Sequence, residues 1–221
     1  MNIHKEDSSV EGNKHFDLSH HYHSVAEKYD YLYKEYYEGK SSVLMKCLDL
    51  KPSHIVADIG SGTGFIAEQL FKLSGLNNPV CSHHFVDPVA VYKGILRSLR
   101  PGGFFIEANW VDGGHPMFNS AENVFSTYYQ NVVKERPRLL QEMNLQGKIS
   151  HQEVTTPTVA LAKSKLYEMF RCRYMSMFNR LSDEQIEEGI KELENELFKD
   201  VKDDDRINYN YVVLITKIHL D

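Results

Sequence analysis

Cysteine is scarce in this chain. Cys47, Cys81 and Cys172 are the only three, an odd number set far apart. They form no disulfide framework and no cysteine-built metal knot, which suits free thiols in a reducing compartment. Long apolar runs are missing too, so a membrane-spanning helix, which needs about 18 residues or more, is excluded. The segment Met1-Asn2-Ile3-His4-Lys5-Glu6-Asp7 lacks the charged-then-apolar build of a secretory leader, and the cytoplasm is the expected location. Positive charge is not in excess. Lys and Arg number 25 against 31 Asp and Glu, a net charge of −6 with both signs mixed. That excludes a general nucleic-acid partner. The basic cluster Lys134-Glu135-Arg136-Pro137-Arg138 is broken by an acid and a proline and reads as a solvated helix end. His20, His21 and His23 have no carboxylate or cysteine partner at a recurring offset, so no metal site is expected. Repeats and low-complexity blocks are absent.

What is present suits one globular domain. At 42% hydrophobic content the chain can bury a sizeable core. Residues 1–18 are polar and expected to be loosely attached, leaving 19–221 as the domain. His20 to Leu48 reads as an aromatic-rich helix, with Tyr22, Val25, Ala26, Tyr29, Leu32 and Tyr33 at helical spacing. Val89 to Leu99 places Val89, Tyr92, Ile95, Leu96 and Leu99 on one face, the mark of an amphipathic helix. Arg100-Pro101-Gly102-Gly103 stops it, and Phe104–Ala108 is the next strand. Trp110 and the Gly113-Gly114-His115-Pro116 loop leave the carboxyl end of that strand. Ala121 to about Met143 is predicted helical and Ile149–Val154 a strand. Val159–Phe178 is predicted as one helix. A second begins at Ser182-Asp183-Glu184-Gln185, a capping-box pattern. Asp203-Asp204-Asp205 reads as a solvated turn and Tyr209–Thr216 as the last strand.

The densest chemical signal is Ile55-Val56-Ala57-Asp58-Ile59-Gly60-Ser61-Gly62-Thr63-Gly64. An apolar strand, expected at Ile55–Ile59 and buried on both faces, ends in an acid and enters three glycines spaced two apart. A helix is predicted from Phe65 to about Leu73. Glycines there tolerate positive φ and let a ligand approach the backbone. The helix behind offers free N–H groups and a positive dipole end. Asp58 stands where open α/β sheets place ligand contacts.

A dinucleotide fingerprint is G-x-G-x-x-G. This chain has G-x-G-x-G, with an acid two residues ahead, which argues against a nicotinamide oxidoreductase. The segment Asp58-Ile59-Gly60-Ser61-Gly62-Thr63-Gly64 resembles the first motif of the class I S-adenosylmethionine-dependent methyltransferases, D/E-x-G-x-G-x-G, at every fixed position. Ser82-His83-His84-Phe85-Val86-Asp87-Pro88, the helix after it, and Leu99 through Ile106 resemble that family's fourth strand, following helix and fifth strand. Tyr211–Lys217 resembles its closing antiparallel strand.

The resemblance implies an α/β fold with a Rossmann-like sheet and a helical cap between the last two strands. It implies S-adenosyl-L-methionine as cofactor and a small-molecule methyl acceptor. Gly60, Ser61, Gly62, Thr63 and Gly64 would line the methionine portion of the cofactor, and Asp58 would meet its amino group. Tyr22 and the Tyr29-Asp30 pair belong to a leading helix that covers the cofactor in similar enzymes, or simply packs on the sheet. His83 and His84 would face the acceptor and orient it or take its proton. Arg171, Arg173 and Tyr174 fall in the helical insertion that roofs the acceptor pocket in similar enzymes, where an arginine could meet an anionic substrate.

One feature of the family pattern is missing. From Gly60 to His83 is 23 residues, whereas two further strand–helix units need about 48. The sheet is therefore expected to be shortened by an internal deletion near Val80 and Cys81, without the usual ribose-binding acid. In an alternative alignment Phe85-Val86-Asp87-Pro88 ends the second strand and Asp87 is that acid. Loss of neighbouring strands would leave the central strand as an edge. This suggests a homo- or hetero-dimer covering that edge, or a non-catalytic variant that pairs with or regulates a partner chain.

Overall fold

A computed structural model of the chain describes residues 25–48, 54–57, 63–74, 88–111, 115–129 and 148–219. Within these, helix α1 spans Tyr29–Leu48 behind a short 3₁₀ turn at Ala26–Lys28, α2 spans Phe65–Ser74 and α3 spans Pro88–Ser98. Strand β1 is Phe104–Trp110, followed by α4 at Asn119–Tyr128, β2 at Lys148–Thr155 and β3 at Val159–Ala162. Helix α5 is Lys163–Arg171, a 3₁₀ turn covers Ser176–Arg180, and α6 is Asp183–Glu196. Strands β4, Arg206–Tyr209, and β5, Val212–His219, close the chain. No described helix is long and apolar enough to cross a membrane.

The architecture is mixed α/β with a small sheet in the order β1-β5-β2 and a two-stranded ladder β3-β4. Strand β5 runs antiparallel to both neighbours, with Glu107 opposite Thr216 and Thr216 opposite His151. The closing antiparallel strand expected at the tail is therefore present. The Rossmann-like parallel sheet is not seen: every ladder among the described residues is antiparallel. Parallel neighbours require crossover units of a dozen or more residues each, and the sequence between α2 and α3 has no length for two of them. The expected strand at Ile55–Ile59 is likewise corrected over its described part. Residues 54–57 form no strand, and Ile55 is 75% exposed rather than buried.

Two further predictions need correction. Val159–Phe178 is not one helix. Its start is β3, whose Leu161 is fully buried and pairs with Ile207, so tertiary pairing overrides the helix propensity of alanine and leucine. The predicted last strand Tyr209–Thr216 is divided between β4 and β5. The break is held by Asn210 Nδ2 donating to the Thr156 carbonyl at 2.8 Å and by Tyr211 N donating to Thr156 Oγ1 at 3.1 Å. On the facing chain Pro157, which lacks an N–H, interrupts the ladder. The Asp203–Asp205 segment is the exposed turn expected, and it also caps α5: Lys163 N donates to the Asp205 carbonyl and Ser164 N to that of Asp203. The helical insertion, α5 and α6, lies between β3 and β4.

The sheet separates two apolar clusters. On one face Phe105 and Ile218 pack with Tyr92 and Leu96 of α3, as its amphipathic pattern predicts. On the other, Ile106, Ala108 and Trp110 pack against the main core, built from α1, α5, α6 and β5. Salt bridges fix α5 beneath the N-terminal region: Lys165 to Glu35 at 2.5 Å and Lys28 to Glu168 at 2.5 Å.

Candidate functional site

The described end of the glycine motif is Thr63 and Gly64. Gly64 has φ +81°, the left-handed region that glycine enters without penalty. Its carbonyl accepts the Glu68 N–H at 2.8 Å and so opens α2. A Cβ built on Gly64 would meet nothing within 4 Å. The glycine is therefore required by its backbone conformation and not by crowding. Thr63 and Gly64 are the described part of the turn that the motif predicts.

Helix α1 reaches this turn. Thr63 Oγ1 donates a hydrogen bond to Asp30 Oδ1, joining the first turn of α1 to the glycine motif. Beside it Tyr37 packs on Phe65, the first residue of α2, with ring centroids 5.7 Å apart. The Tyr37 hydroxyl donates to that of Tyr29 at 2.7 Å. The Tyr29-Asp30 pair stands out in the sequence, but no local pattern assigns Asp30 a role of its own.

From Tyr37 a run of rings leads to the carboxyl end of β1. Tyr33 lies 5.5 Å from Tyr37 and 6.4 Å from Trp110, and Tyr36 lies 4.9 Å from Trp110. Tyr36 is enclosed by His115, Tyr174, Tyr209 and Tyr211 at 5.3–6.1 Å. The Tyr211 hydroxyl donates to the Tyr36 carbonyl. The Trp110 indole N–H is buried without a partner among the described residues.

His115 sits inside this cluster, 6% exposed. Its Nδ1 faces the Pro116 carbonyl at 3.1 Å. A carbonyl can only accept, so Nδ1 carries the proton, and Nε2 of the neutral ring accepts the Tyr174 hydroxyl. Burial pushes the Tyr36 phenol well above the ordinary tyrosine range, helped by neighbouring Tyr174 and Tyr209. Tyr174, Tyr209 and Tyr211 are also raised, with burial the leading cause in each. All four are neutral phenols at physiological pH, able to donate and accept hydrogen bonds but not to serve as phenolate bases. No local motif marks this cluster, because its members come from five separate stretches of sequence.

The expected arginine contacts to an anionic substrate are not supported. Arg171 is held by Glu187 in a bidentate pair at 2.7 and 2.9 Å, and Arg173 by Asp183 at 2.5 Å. Both charges are met by carboxylates of α6. Tyr174 is fully buried rather than facing a pocket. Of the other sequence-predicted site residues, Tyr22, Asp58, Gly60, Ser61, Gly62, His83, His84 and Asp87 lie outside the described residues. Among the described residues no group of three or more His, Cys, Asp or Glu is placed to hold a metal ion.

No protein-family model matches this chain, and no curated protein matches it. A solved structure from Bacillus halodurans C-125, described as a candidate methyltransferase, overlays with a TM-score of 0.41 and 13% identity. The overlay covers 81% of this chain and 97% of that one. A score of this size does not define a shared fold.

Proposed function

We propose that this chain is an S-adenosylmethionine-dependent methyltransferase acting on a small molecule. The observation that carries the reading is the motif Asp58–Gly64, whose last glycine stands at φ +81° where α2 opens. The order of the remaining pieces supports it: an amphipathic helix, the Arg100–Gly103 turn, strand β1 and a closing strand antiparallel to it. The cofactor supplies an electrophilic methyl group, so the protein has to bind it, align an acceptor in line with the carbon–sulfur bond and exclude water. Thr63 and Gly64, with the preceding motif residues, are assigned to the methionine portion, and Asp58 to its amino group. His83 and His84 are assigned to the acceptor side. His115 is not, because both of its nitrogens are engaged within the buried cluster. The test is transfer of a labelled methyl group from the cofactor into a metabolite extract by the purified full-length chain. Saturable, protein-dependent labelling is expected, and none from a folded chain would remove the catalytic reading.

One observation favours a second reading. Residues 54–57, which lead into the motif, form no strand among the described residues, and Ile55 is 75% exposed. A non-catalytic variant that pairs with another copy or a partner chain would cover this segment. Light scattering separates the two: a monomer that binds cofactor supports the enzyme, and an obligate assembly without cofactor binding supports the pairing variant.

A further inference from the structure

We propose that Tyr174 and His115 form a redox-active pair: a one-electron oxidant at the surface draws an electron from the Tyr174 phenol while the phenol proton passes to His115. This activity is separate from methyl transfer. The Tyr174 hydroxyl donates to Nε2 of His115, and Nδ1 of the same ring holds its proton against the Pro116 carbonyl. The imidazole is thus a neutral tautomer whose basic nitrogen already sits on the phenol proton. Both side chains are shut away from solvent. Burial pushes the Tyr174 phenol well above the ordinary tyrosine range, despite the hydrogen bond that Tyr36 offers it, so the resting pair keeps its proton on oxygen. A phenol that has lost an electron is a strong acid, and the base it needs is in place.

Oxidisable rings connect the pair to the surface. Tyr33 lies 6.0 Å from Tyr174 and 5.5 Å from Tyr37, measured between ring centroids. It also lies 4.5 Å from Tyr29, whose hydroxyl accepts that of Tyr37 at 2.7 Å. Tyr29 and Tyr37 are half-buried and Tyr33 is buried. Among the described residues, Tyr33 therefore bridges rings within reach of solvent and the shielded pair. The oxidant, an oxygen-centred radical or a high-valent metal complex, takes one electron at Tyr29 or Tyr37 and leaves reduced by one electron. Tyr33 refills that ring, and Tyr174 refills Tyr33. The O–H bond of Tyr174 breaks and an N–H bond forms at Nε2, which leaves a neutral tyrosyl radical beside an imidazolium. A reductant of the thiol or ascorbate class returns the electron along the same rings, and the proton goes back to oxygen. The positioned base makes Tyr174 easier to oxidise than a phenol that must release its proton to water, so the oxidising equivalent settles there. Burial keeps the radical from coupling with other molecules.

The experiment is flash oxidation of the full-length chain by a photogenerated trivalent ruthenium tris(bipyridine) complex, read by transient absorption and by electron paramagnetic resonance of freeze-quenched samples. The wild type should give a tyrosyl radical that outlives that of free tyrosine and forms more slowly in deuterated water. With isotopically labelled histidine, the radical should show coupling to a histidine nitrogen. Tyr174→Phe should lose the long-lived radical, and His115→Phe should lose or shorten it. Tyr33→Phe, which keeps the ring and removes the oxidisable phenol, should slow its formation without changing the final spectrum. The nitrogen coupling is read on the wild type, so it decides the matter even where a core variant fails to fold. A long-lived radical that persists in folded Tyr174→Phe, a wild-type radical without histidine coupling, or no long-lived radical at all would overturn the inference. An unchanged rate in Tyr33→Phe would overturn the route through the rings. None of these readouts uses S-adenosylmethionine, so the methyltransferase reading stands or falls separately.

Discussion

The Tyr174 hydroxyl donates to Nε2 of His115, and both side chains are shut away from solvent. Replacing Tyr174 by Phe leaves a buried imidazole acceptor without its donor, which costs about 1–3 kcal/mol. At this chain length each kcal/mol lowers the melting temperature by about 2–4 °C. Replacing His115 by Phe in the same background removes the stranded acceptor, so the double variant should recover part of the loss. A thermal-melt comparison of the single and double variants checks this, and strictly additive losses would contradict it.

The buried phenols set an alkaline limit. The pKa values of Tyr36, Tyr174, Tyr209 and Tyr211 are raised in the folded state, mainly by burial. Below about pH 10 folded and unfolded chains both hold these protons, and stability is unaffected. Above about pH 10 the unfolded chain releases them while the folded chain keeps them. Stability then falls as pH rises, by up to about 1.4 kcal/mol per pH unit for each such tyrosine. Ultraviolet titration should show part of the 13 tyrosines ionising only together with loss of circular dichroism. Smooth ionisation of all of them in a folded chain would contradict the burial.

Gly189 of α6 has no room for a side chain. A Cβ there would lie 2.1 Å from Cδ2 and 2.2 Å from Cγ of Phe118, which is fully buried. Alanine is ordinarily better than glycine in a helix by about 1 kcal/mol. Overpacking costs about 1–3 kcal/mol or more and acts on the base of a ring that cannot swing aside. Gly189→Ala should therefore destabilise, by about 2 kcal/mol in urea unfolding, and Gly189→Ala with Phe118→Leu should recover part of it.

Glu35 and Lys165 form a mostly buried pair at 2.5 Å, with the ammonium also 4.3 Å from the Tyr31 ring. Removing the carboxylate alone strands a buried cation, which costs about 3–5 kcal/mol at full burial and somewhat less here, where Glu35 is partly exposed. Glu35→Ala should be strongly destabilising, and Glu35→Leu combined with Lys165→Met close to neutral. A denaturant double-variant cycle measures the coupling.

What the sequence made legible was local. The capping box at Ser182 forms as read, with Gln185 N donating to Ser182 Oγ at 3.2 Å and Ser182 N to Gln185 Oε1 at 2.9 Å. Helices α2 and α3, the Arg100–Gly103 turn and strands β1 and β2 follow their periodicity and breakers, because each depends on neighbours a few residues away. Features set by distant partners were not legible. Val159–Ala162 is a strand only because Arg206–Tyr209 lies beside it. The aromatic cluster around Tyr36 joins residues from position 33 to position 211 and leaves no local spacing. Residues 54–57 carry the pattern of a buried strand, but burial requires neighbouring strands that a chain this short between α2 and α3 does not supply.

The proposed function stands or falls on binding of the methyl-donor cofactor at the Asp58–Gly64 turn. Calorimetric titration of the folded full-length chain with S-adenosylhomocysteine tests it most directly. One saturable site is expected, with a dissociation constant near or below about 10 μM, roughly −7 kcal/mol, weakened at least tenfold by Asp58→Ala. No binding by a chain whose circular dichroism shows it folded, or binding indifferent to Asp58→Ala, would contradict it.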